Sequence, residues 1–450
     1  MASAAEQLAA NININAFSRA TELHKRLWFT LGAMIVYRLG TFIPIPGIDA
    51  TAFQALFQGQ AKGILGMVDM FSGGAVQRMA IFALNVMPYI SASIIVQLLG
   101  TVYPPWEKLR KEGGEAGRKQ MNQYTRYLTV VLALFQSFGI AVGINNPSFV
   151  YAPGLFFIIS TMATLTGGTL FLMWLGEQIT ARGVGNGVSL IIMAGIVARL
   201  IPGIVNLLTQ ARVGSLPGGG ATLIIVAVGA VAIIMGIVFI ERSQRRILIQ
   251  YPKRQMGNRM FGGETSFLPL KLNTAGVIPP IFASSLLLMP ATAMQFLVKT
   301  TLPSWAGWVP GAVGQLQHGQ PTFMFLYAAL IVFFSFFYTS IVFPPDDTAE
   351  NLRKYGGFLP GIRPGRRTAE YLDYVLTRLT VIGAAYITVV CLIPEVMMSK
   401  LGNNLAFGGT SILIMVTVTI DTWTQIQSHL LQHQYEGLIR KSKLRGGRRR

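Results

Sequence analysis

Long apolar stretches separated by short polar gaps constrain this chain more than any other feature. Ten can be delimited, at residues 27–45, 79–102, 128–144, 155–175, 188–208, 223–240, 275–298, 322–343, 375–393 and 411–426. A helix of 20 residues is about 30 Å long, which matches the hydrocarbon thickness of a bilayer. Backbone polar groups must be satisfied internally within lipid, and these stretches do not alternate as barrel strands would. The sequence therefore predicts ten membrane-spanning helices.

The gaps between these stretches alternate between basic and nearly uncharged, which predicts how the chain is threaded. The gap at residues 104–127 carries six lysines and arginines, whereas the next gap, at residues 145–153, carries no charge. Residues 241–271 are basic again, and the gap at residues 299–321 contains Lys299 alone. Because lysine and arginine resist translocation, we expect the basic gaps and both termini to lie in the cytoplasm.

Composition supports a membrane protein and limits what the net charge can indicate. Of 450 residues, 52% are hydrophobic and 12% are charged, which is about half the charged fraction of a typical soluble protein. The net charge of +19 would suit anionic lipids, acidic proteins or RNA, but the charge that fixes topology accounts for most of it. The single cysteine, Cys391, excludes an internal disulfide. The first apolar stretch is too long for the core of a cleaved signal peptide.

The sequence offers little that could carry catalysis, metal binding or ion coupling. His429 and His433 are four residues apart, as helical metal ligands can be, but no third ligand lies nearby, so a solvated helix face is preferred. The glycine-rich residues 183–187 lack the lysine of a phosphate loop and indicate a tight turn. Acidic residues are nearly absent from the apolar stretches. We interpret two of the cations within them, Arg38 and Arg199, as helix–helix or interfacial contacts.

Residues 63–74, GILGMVDMFSGG, form an apolar segment that is too short to cross a bilayer and is bounded by glycines. Two interpretations stay open on periodicity alone. The segment could re-enter the membrane or lie in a protein cavity, or it could be a loop on the extracytoplasmic surface.

Two of the ten stretches combine prolines with small hydroxyl side chains. The second contains Pro88 among serines and amides, and the seventh opens with NTAGVIPP at residues 273–280. Proline frees backbone carbonyls, and small hydroxyls allow close but weak packing. Side by side, these helices would form a seam that can part. The plainer alternative is a pair of ordinary kinks, which membrane helices tolerate.

Nine ordered motifs make the sequence resemble the SecY family, the channel subunits of the bacterial Sec protein translocase, over residues 23–443. They are FIPIPGID at 42–49, MFSGG at 70–74, MPYISAS at 87–93, QYTR at 123–126, MWLGEQIT at 173–180, GNG at 185–187, AGVIP at 275–279, PGIRPG at 360–365 and FGGTS at 407–411.

The resemblance implies an all-α polytopic membrane protein with ten transmembrane helices in two pseudo-symmetric halves around a central pore. The implied divisions are a cytoplasmic N-terminal segment (1–22), helices 1–5 (23–210), helices 6–10 (211–426) with basic cytoplasmic loops (241–272 and 344–374), and a basic cytoplasmic tail (427–450).

Four sets of site residues are implied by the resemblance. The aliphatic ring at the waist of the pore is Val86, Ile90, Val188, Ile192, Ile281 and Ile414. The extracytoplasmic plug, at about residues 64–76, includes Ile64, Leu65, Met67, Val68, Met70, Phe71, Ser72, Gly73 and Gly74. The lateral gate, between helices two and three and helices seven and eight, includes Ser91, Ile94, Gln97, Asn273, Ser284 and Ser285. The docking face for SecA and ribosomes includes Arg245, Arg246, Lys253, Arg254, Arg259 and Arg363.

Elementary physics fits these implied roles. An aliphatic ring offers water and ions no hydrogen bond, so a narrow waist dewets and blocks leakage. A loosely held plug would suit a part that must move aside. A signal sequence is itself an apolar helix, so a parting seam would let it reach lipid.

The resemblance therefore implies a passive protein-conducting channel of the bacterial inner membrane, and not an enzyme. It would translocate unfolded polypeptides and release transmembrane segments sideways, driven by the SecA ATPase, the proton motive force or the ribosome. The implied partners are SecE, SecG, SecA, the ribosome, signal sequences, nascent polypeptides, SecDF, YidC and anionic phospholipids. No cofactor, catalytic residue or metal site is expected. Two alternatives are a small-solute secondary transporter and a membrane-assembly scaffold without a pore.

Overall fold

The computed structural model describes residues 21–60, 69, 71–214, 219–252, 254–256, 259–261, 265–297, 311, 315, 320–401 and 409–446. The helices are α1 (Thr21–Gly40), α2 (Ala50–Gln60), α3 (Met87–Val102), α4 (Pro104–Glu112), α5 (Gly114–Ile144), α6 (Leu155–Arg182), α7 (Gly187–Val213), α8 (Gly219–Arg242), α9 (Ile278–Leu297), α10 (Pro321–Val342), α11 (Pro345–Lys354), α12 (Arg366–Leu401) and α13 (Gly409–Gly446). The strands are β1 (Gln244–Gln250), β2 (Arg254–Met256), β3 (Arg259–Phe261) and β4 (Thr265–Lys271).

Each of the ten apolar stretches lies wholly or mostly within one helix. Within the described residues, six helical stretches are long and apolar enough to cross a membrane, and they belong to α5, α6, α7, α8, α10 and α12. The helix α3 and the first half of α9 are shorter but also apolar. Large apolar side chains such as Phe156 and Phe239, 88% and 76% exposed, point outward, as expected where lipid covers the surface.

One predicted boundary is wrong. The sequence predicts a helix from residue 79, but the chain makes turns through residues 79–86 and α3 begins at Met87. Met79 and Asn85 have positive φ angles of 46° and 50°, which a right-handed helix does not contain. Pro88 then occupies the first turn of α3, where its missing amide costs no hydrogen bond.

The FIPIPGID motif anchors both sides of the predicted plug. On one side, Asp49 Oδ1 accepts hydrogen bonds from the Thr51 hydroxyl (2.6 Å) and the Ala52 amide (3.2 Å), which cap α2 and lower the pKa of the Asp49 carboxyl. On the other side, the backbone of the motif pairs with that of residues 79–81, since the Ile45 amide donates to the Met79 carbonyl at 2.9 Å. The plug segment lies between these two attachments.

Contacts divide the chain into two compact units, Met1–Ile201 with Val418–Arg450, and Pro202–Thr417. In the first unit α3 packs on α5 and α5 packs on α6. In the second unit α9 packs on α10 and α10 packs on α12. The two units therefore repeat one order of packing. This division assigns most of α13 to the first unit, whereas the sequence places that helix in the second half.

In the first unit, the turn between α6 and α7 is fastened from two sides. The Val184 amide donates to Thr30 Oγ1 of α1 at 3.1 Å, and the Gly185 amide donates to Gln425 Oε1 of α13 at 2.9 Å. The predicted turn is confirmed, and its backbone amides are used to join three helices.

In the second unit, the two basic loops fold together into one structure. Strand β1 pairs antiparallel with β4, and Gln250 exchanges two backbone hydrogen bonds of 2.9 Å with Phe358. Buried apolar side chains unite these parts: Ile247, Leu270, Leu359, Leu372, Val375, Leu376 and Leu379. We call β1, β4 and residues 358–379 the basic platform. The sequence predicts loops here and does not predict the strands.

Candidate functional site

The predicted plug lies inside the first unit and not on its surface. Asp69 and residues 71–76 are all buried, and Ser72 and Ala75 have no exposed surface. The other predicted plug residues lie outside the described part of the chain: Ile64, Leu65, Met67, Val68 and Met70. Of the two interpretations left open by the sequence, the described residues agree with a segment held in a protein cavity.

Two consecutive glycines let this segment turn sharply against α7. Gly73 and Gly74 have φ angles of 66° and 90°, which favour glycine. A Cβ atom on Gly73 would lie 3.0 Å from the Cα atom of Gly195 in α7. A Cβ atom on Gly195 would overlap the carbonyl oxygen of Phe71. Backbone meets backbone at this point, so a side chain at either position would separate the segment from α7.

Polar side chains from α1 and from the turn before α3 hold the same segment by its backbone. Three of its carbonyl oxygens each accept one hydrogen bond from a side chain. The Ser72 carbonyl accepts from the Tyr37 hydroxyl at 3.3 Å, that of Gly73 from Arg38 Nη1 at 2.8 Å, and that of Phe71 from Asn85 Nδ2 at 2.6 Å. The expectation of a loosely held plug therefore does not describe residues 71–73, which are fastened at each position.

An ion pair between a buried carboxylate and a partly exposed guanidinium adds to these bonds. The Asp69 side chain has no exposed surface, and its carboxylate pairs with Arg199 of α7. The Gln77 backbone amide donates to Asp69 Oδ1 at 2.8 Å, and Arg199 Nη1 donates to the side-chain oxygen Oε1 of Gln77 at 3.0 Å. The interpretation of Arg38 and Arg199 as helix–helix or interfacial contacts is corrected, because both bind the plug segment and its continuation.

Arg38 and Arg78 form a cluster of positive charge beside the Asp69–Arg199 ion pair. The guanidinium carbons of Arg38 and Arg78 stand 4.7 and 4.2 Å from the ring centroid of Phe42. Sequence reasoning missed the roles of Asp69, Gln77, Arg78 and Asn85. One signal was available: Asp69 is the one charge in an apolar segment, and a buried charge requires a partner.

The six residues of the predicted ring are described in both units. Val86, Ile90, Val188 and Ile192 belong to the first unit, and Ile281 and Ile414 to the second. The side chains of Val188 and Ile281 are partly exposed, and the other four are buried. Their arrangement as one ring stays a prediction.

Two predicted gate residues of α3 and α9 make side-chain hydrogen bonds within their own helices. Gln97 Nε2 donates to Ser93 Oγ at 3.1 Å, and Ser284 Oγ donates to the Ile281 carbonyl at 2.9 Å. The remaining gate residues on these two helices, Ser91, Ile94 and Ser285, are buried. Because these two bonds stay within one helix, parting the helices would not break them.

Asn273 is buried at the start of the α9 region, where its side chain bonds the Glu241 side chain and the backbone of Gly276. Its Nδ2 donates to Glu241 Oε1 of α8 at 2.6 Å and to the Gly276 carbonyl at 3.2 Å, and its Oδ1 accepts from the Gly276 amide at 3.1 Å. This predicted gate residue therefore ties the entry of α9 to the end of α8.

Three predicted docking residues are exposed on the basic platform: Arg245 and Arg246 of β1, and Arg363 of the loop before α12. The structure thus brings charges from two distant loops into one folded group. Arg254 and Arg259 belong to β2 and β3, and Lys253 lies outside the described residues.

Close relatives are found among curated proteins. The chain is 51% identical over 429 residues to the "Protein translocase subunit SecY" of Rickettsia conorii, covering 94% of this chain and 97% of the relative. It is 52% identical over 435 residues to the protein of that name from Vibrio cholerae, covering 96% and 97%. For Escherichia coli strain K12 the identity is 51% over 429 residues, covering 94% and 96%.

Solved structures share the fold. A structure described as that of a protein conducting channel matches with a TM-score of 0.67 at 16% identity, covering 90% of this chain and 92% of that one. Sec61 in a canine ribosome-channel complex matches with a TM-score of 0.64 at 17% identity, covering 90% and 92%. The predicted fold of ten spanning helices in two halves is thereby confirmed. The SecY family model matches residues 80–423, and with the curated relatives it shows that the chain belongs to the SecY family, whose members are channel subunits and not enzymes.

Proposed function

We propose that the protein is a gated channel that translocates unfolded polypeptides across the bacterial inner membrane and releases transmembrane segments into lipid. The observation that carries the proposal is the plug segment, an apolar stretch too short to span, whose described residues, Asp69 and 71–74, are buried and held by Arg38 and Asn85. One structure with this fold, at 17% identity, is described as showing that the SecY plug stabilises the closed state and maintains a membrane seal.

The gate would work by separating helices whose Gln97 and Ser284 side-chain hydrogen bonds stay within one helix and so survive the separation. The entry of an apolar signal helix between α3 and α9 would expose apolar side chains to lipid at little cost. The six aliphatic residues would close around the passing chain without binding it, and would dewet when it left. Residues 64–76 would move aside during passage and return afterwards.

The basic gaps support a cytoplasmic location for the platform and both termini, because lysine and arginine resist translocation. Of the exposed arginines of the platform, Arg245, Arg246 and Arg363 would dock SecA or the ribosome, which supply the driving force. Two structures of this fold are described as ribosome-bound, the canine Sec61 complex and an idle yeast Ssh1 complex. SecE and SecG would complete the membrane complex, with SecDF, YidC and anionic phospholipids as further partners.

Reconstitution tests this function directly. Vesicles containing the protein with SecE and SecG would receive SecA, ATP and an unfolded secretory protein. We expect the secretory protein to become protected from added protease, because it has entered the vesicle. The matched controls are the same vesicles without ATP, and the same protein without its signal sequence. Uptake of small solutes without any protection of polypeptide would contradict the proposal.

A further inference from the structure

We propose that Asp69, Gln77 and Arg199 form a charge latch that sets how apolar a signal sequence must be to open the channel. The inference rests on the proposed role of residues 64–76 as the plug. It adds that two charged residues outside the aliphatic ring and the gate determine substrate specificity.

The two charges of the latch belong to different parts of the molecule. Asp69 lies on the plug segment, whereas Arg199 lies on α7. Gln77 connects them, since its backbone amide donates to the Asp69 carboxylate and its side-chain oxygen accepts from Arg199. The plug therefore cannot leave α7 without separating a carboxylate from a guanidinium. Their separation is unfavourable, because it leaves the buried Asp69 carboxylate without its partner.

The latch also neutralises a cluster of like charges. Arg38 holds the Gly73 carbonyl at 2.8 Å, and Arg38 and Arg78 share the ring of Phe42. A Cβ atom on Gly74 would lie 3.5 Å from Arg78 Nη1 and 4.0 Å from Arg199 Cδ, so the arginines converge on the glycine turn. Among the described residues, Asp69 is the carboxylate that pairs with this cluster. Loss of the Asp69 charge would leave the three arginines around the plug without this carboxylate partner.

A specific order of effects follows from this arrangement. Asp69→Asn should open the channel more than Arg199→Gln, because the first change leaves cations repelling one another. In the second, Asp69 keeps the Gln77 amide and the nearby arginines. Asp69→Asn with Arg199→Gln should open less than Asp69→Asn alone, because one cation of the cluster is gone and no guanidinium lacks its carboxylate.

The latch affects specificity because opening is driven by the transfer of the signal helix into lipid. A long apolar signal gains enough by this transfer to open the latch, and a short one does not. Weakening the latch should therefore admit weakly apolar signals while changing little for strongly apolar ones.

The experiment uses the full complex in planar bilayers and in export-competent vesicles. Two quantities are measured: the ion conductance without substrate, and the export rates of two reporters whose signals differ by three leucines. For Asp69→Asn we expect the conductance to rise by about tenfold, less than for a fully buried unpaired charge because the Arg199 side chain is 30% exposed, and the difference in export rate between the reporters to narrow.

The matched control is Glu177→Gln, which removes a carboxylate from the half-exposed Arg126–Glu177 pair between α5 and α6. This control should resemble the wild type, because exposed pairs contribute little. Normal export of the strongly apolar reporter shows that each variant is folded. If the Asp69→Asn variant does not assemble, a comparison of the conductance of the double variant with that of Arg199→Gln still tests the coupling between the two charges.

Two results would overturn the latch: wild-type conductance in Asp69→Asn, or effects that add independently in the double variant. Either result would leave the proposed function standing as long as the wild type exports polypeptides. Failure of the wild type to export would refute the proposed function itself.

Discussion

Gly195 has room for a hydrogen atom but not for a methyl group where it contacts the predicted plug segment. The residue sits within α7, where alanine would favour the helix by about 1 kcal/mol. Its Cα atom instead lies against Gly73, and a Cβ atom would also come within 3.0 Å of the Tyr37 hydroxyl. The glycine is therefore explained by the contact with the plug and not by the helix.

We expect Gly195→Ala to raise the conductance of the channel without substrate by roughly tenfold, equivalent to about 1.4 kcal/mol, because overpacking pushes the plug from its site. Single-channel recording in planar bilayers measures this. Gly167→Ala is the matched control, since a Cβ atom on this glycine of α6 meets no atom within 4 Å. Equal conductance in the two variants would show that Gly195 does not support the plug.

Residue-level roles were predictable from the sequence only where the chemistry is local. The turn at residues 183–187 follows from its glycines and is confirmed. The pairing of Asp69 with Arg199 was not predictable, because the sequence offered several arginines and no rule for choosing among them. The implied plug role suggested a loosely held segment, whereas the backbone carbonyls of residues 71–73 accept the hydrogen bonds that hold them.

Among the elements, the basic platform has the clearest relation to function. Its core is apolar and its exposed rim carries Arg245, Arg246 and Arg363. The backbone pairing of Gln250 with Phe358 fixes the loop before α12 against the β1–β4 hairpin. A partner would therefore meet a preformed surface, and little ordering would be needed for it to bind.

Arg363→Glu should slow SecA-driven export several-fold at low ionic strength, because a reversed charge on the rim weakens the steering of an acidic partner. Initial export rates in vesicles, measured at two salt concentrations, give the effect and its screening. Arg367→Glu, also exposed and in the first turn of α12, is the matched control. Equal slowing by both changes would indicate that net charge matters and that Arg363 has no special place.

Hydropathy located the spanning helices but not everything between them. A period of about 20 apolar residues is a strong signal, and all ten stretches fall on helices. The start of α3 was placed too early because residues 79–86 are as apolar as a helix, while their turns depend on pairing with the FIPIPGID motif. The strands of the platform were missed because short arginine-rich segments resemble a solvated loop.

At the scale of the whole molecule, the repeated packing order of the two units suits a channel built from two halves. The predicted ring takes four residues from one unit and two from the other. The set came from a family resemblance, because helix packing alone would explain any one of these side chains. Its function therefore has to be tested by conductance and not by the burial of single residues.

We expect Ile90→Asn combined with Ile192→Asn to raise ion conductance roughly tenfold, because amide side chains hydrate a constriction that aliphatic ones keep dry. Planar bilayers with the complete complex provide the measurement. Val197→Asn is the control, because Val197 lies on α7 as Ile192 does, but its side chain is 38% exposed. This variant should conduct like the wild type. Unchanged conductance in the double variant would remove both residues from the proposed ring.

The wide separation of the latch partners along the chain has a consequence for biogenesis. Gln77 and Arg199 are 122 residues apart, and a bacterial ribosome adds about 5–20 residues each second. Roughly ten seconds therefore pass between the emergence of one partner and that of the other. During that interval the Asp69 carboxylate of a newly made copy lacks its Arg199 partner, so an insertion chaperone or a bound lipid would stabilise the unfinished chain most at that stage.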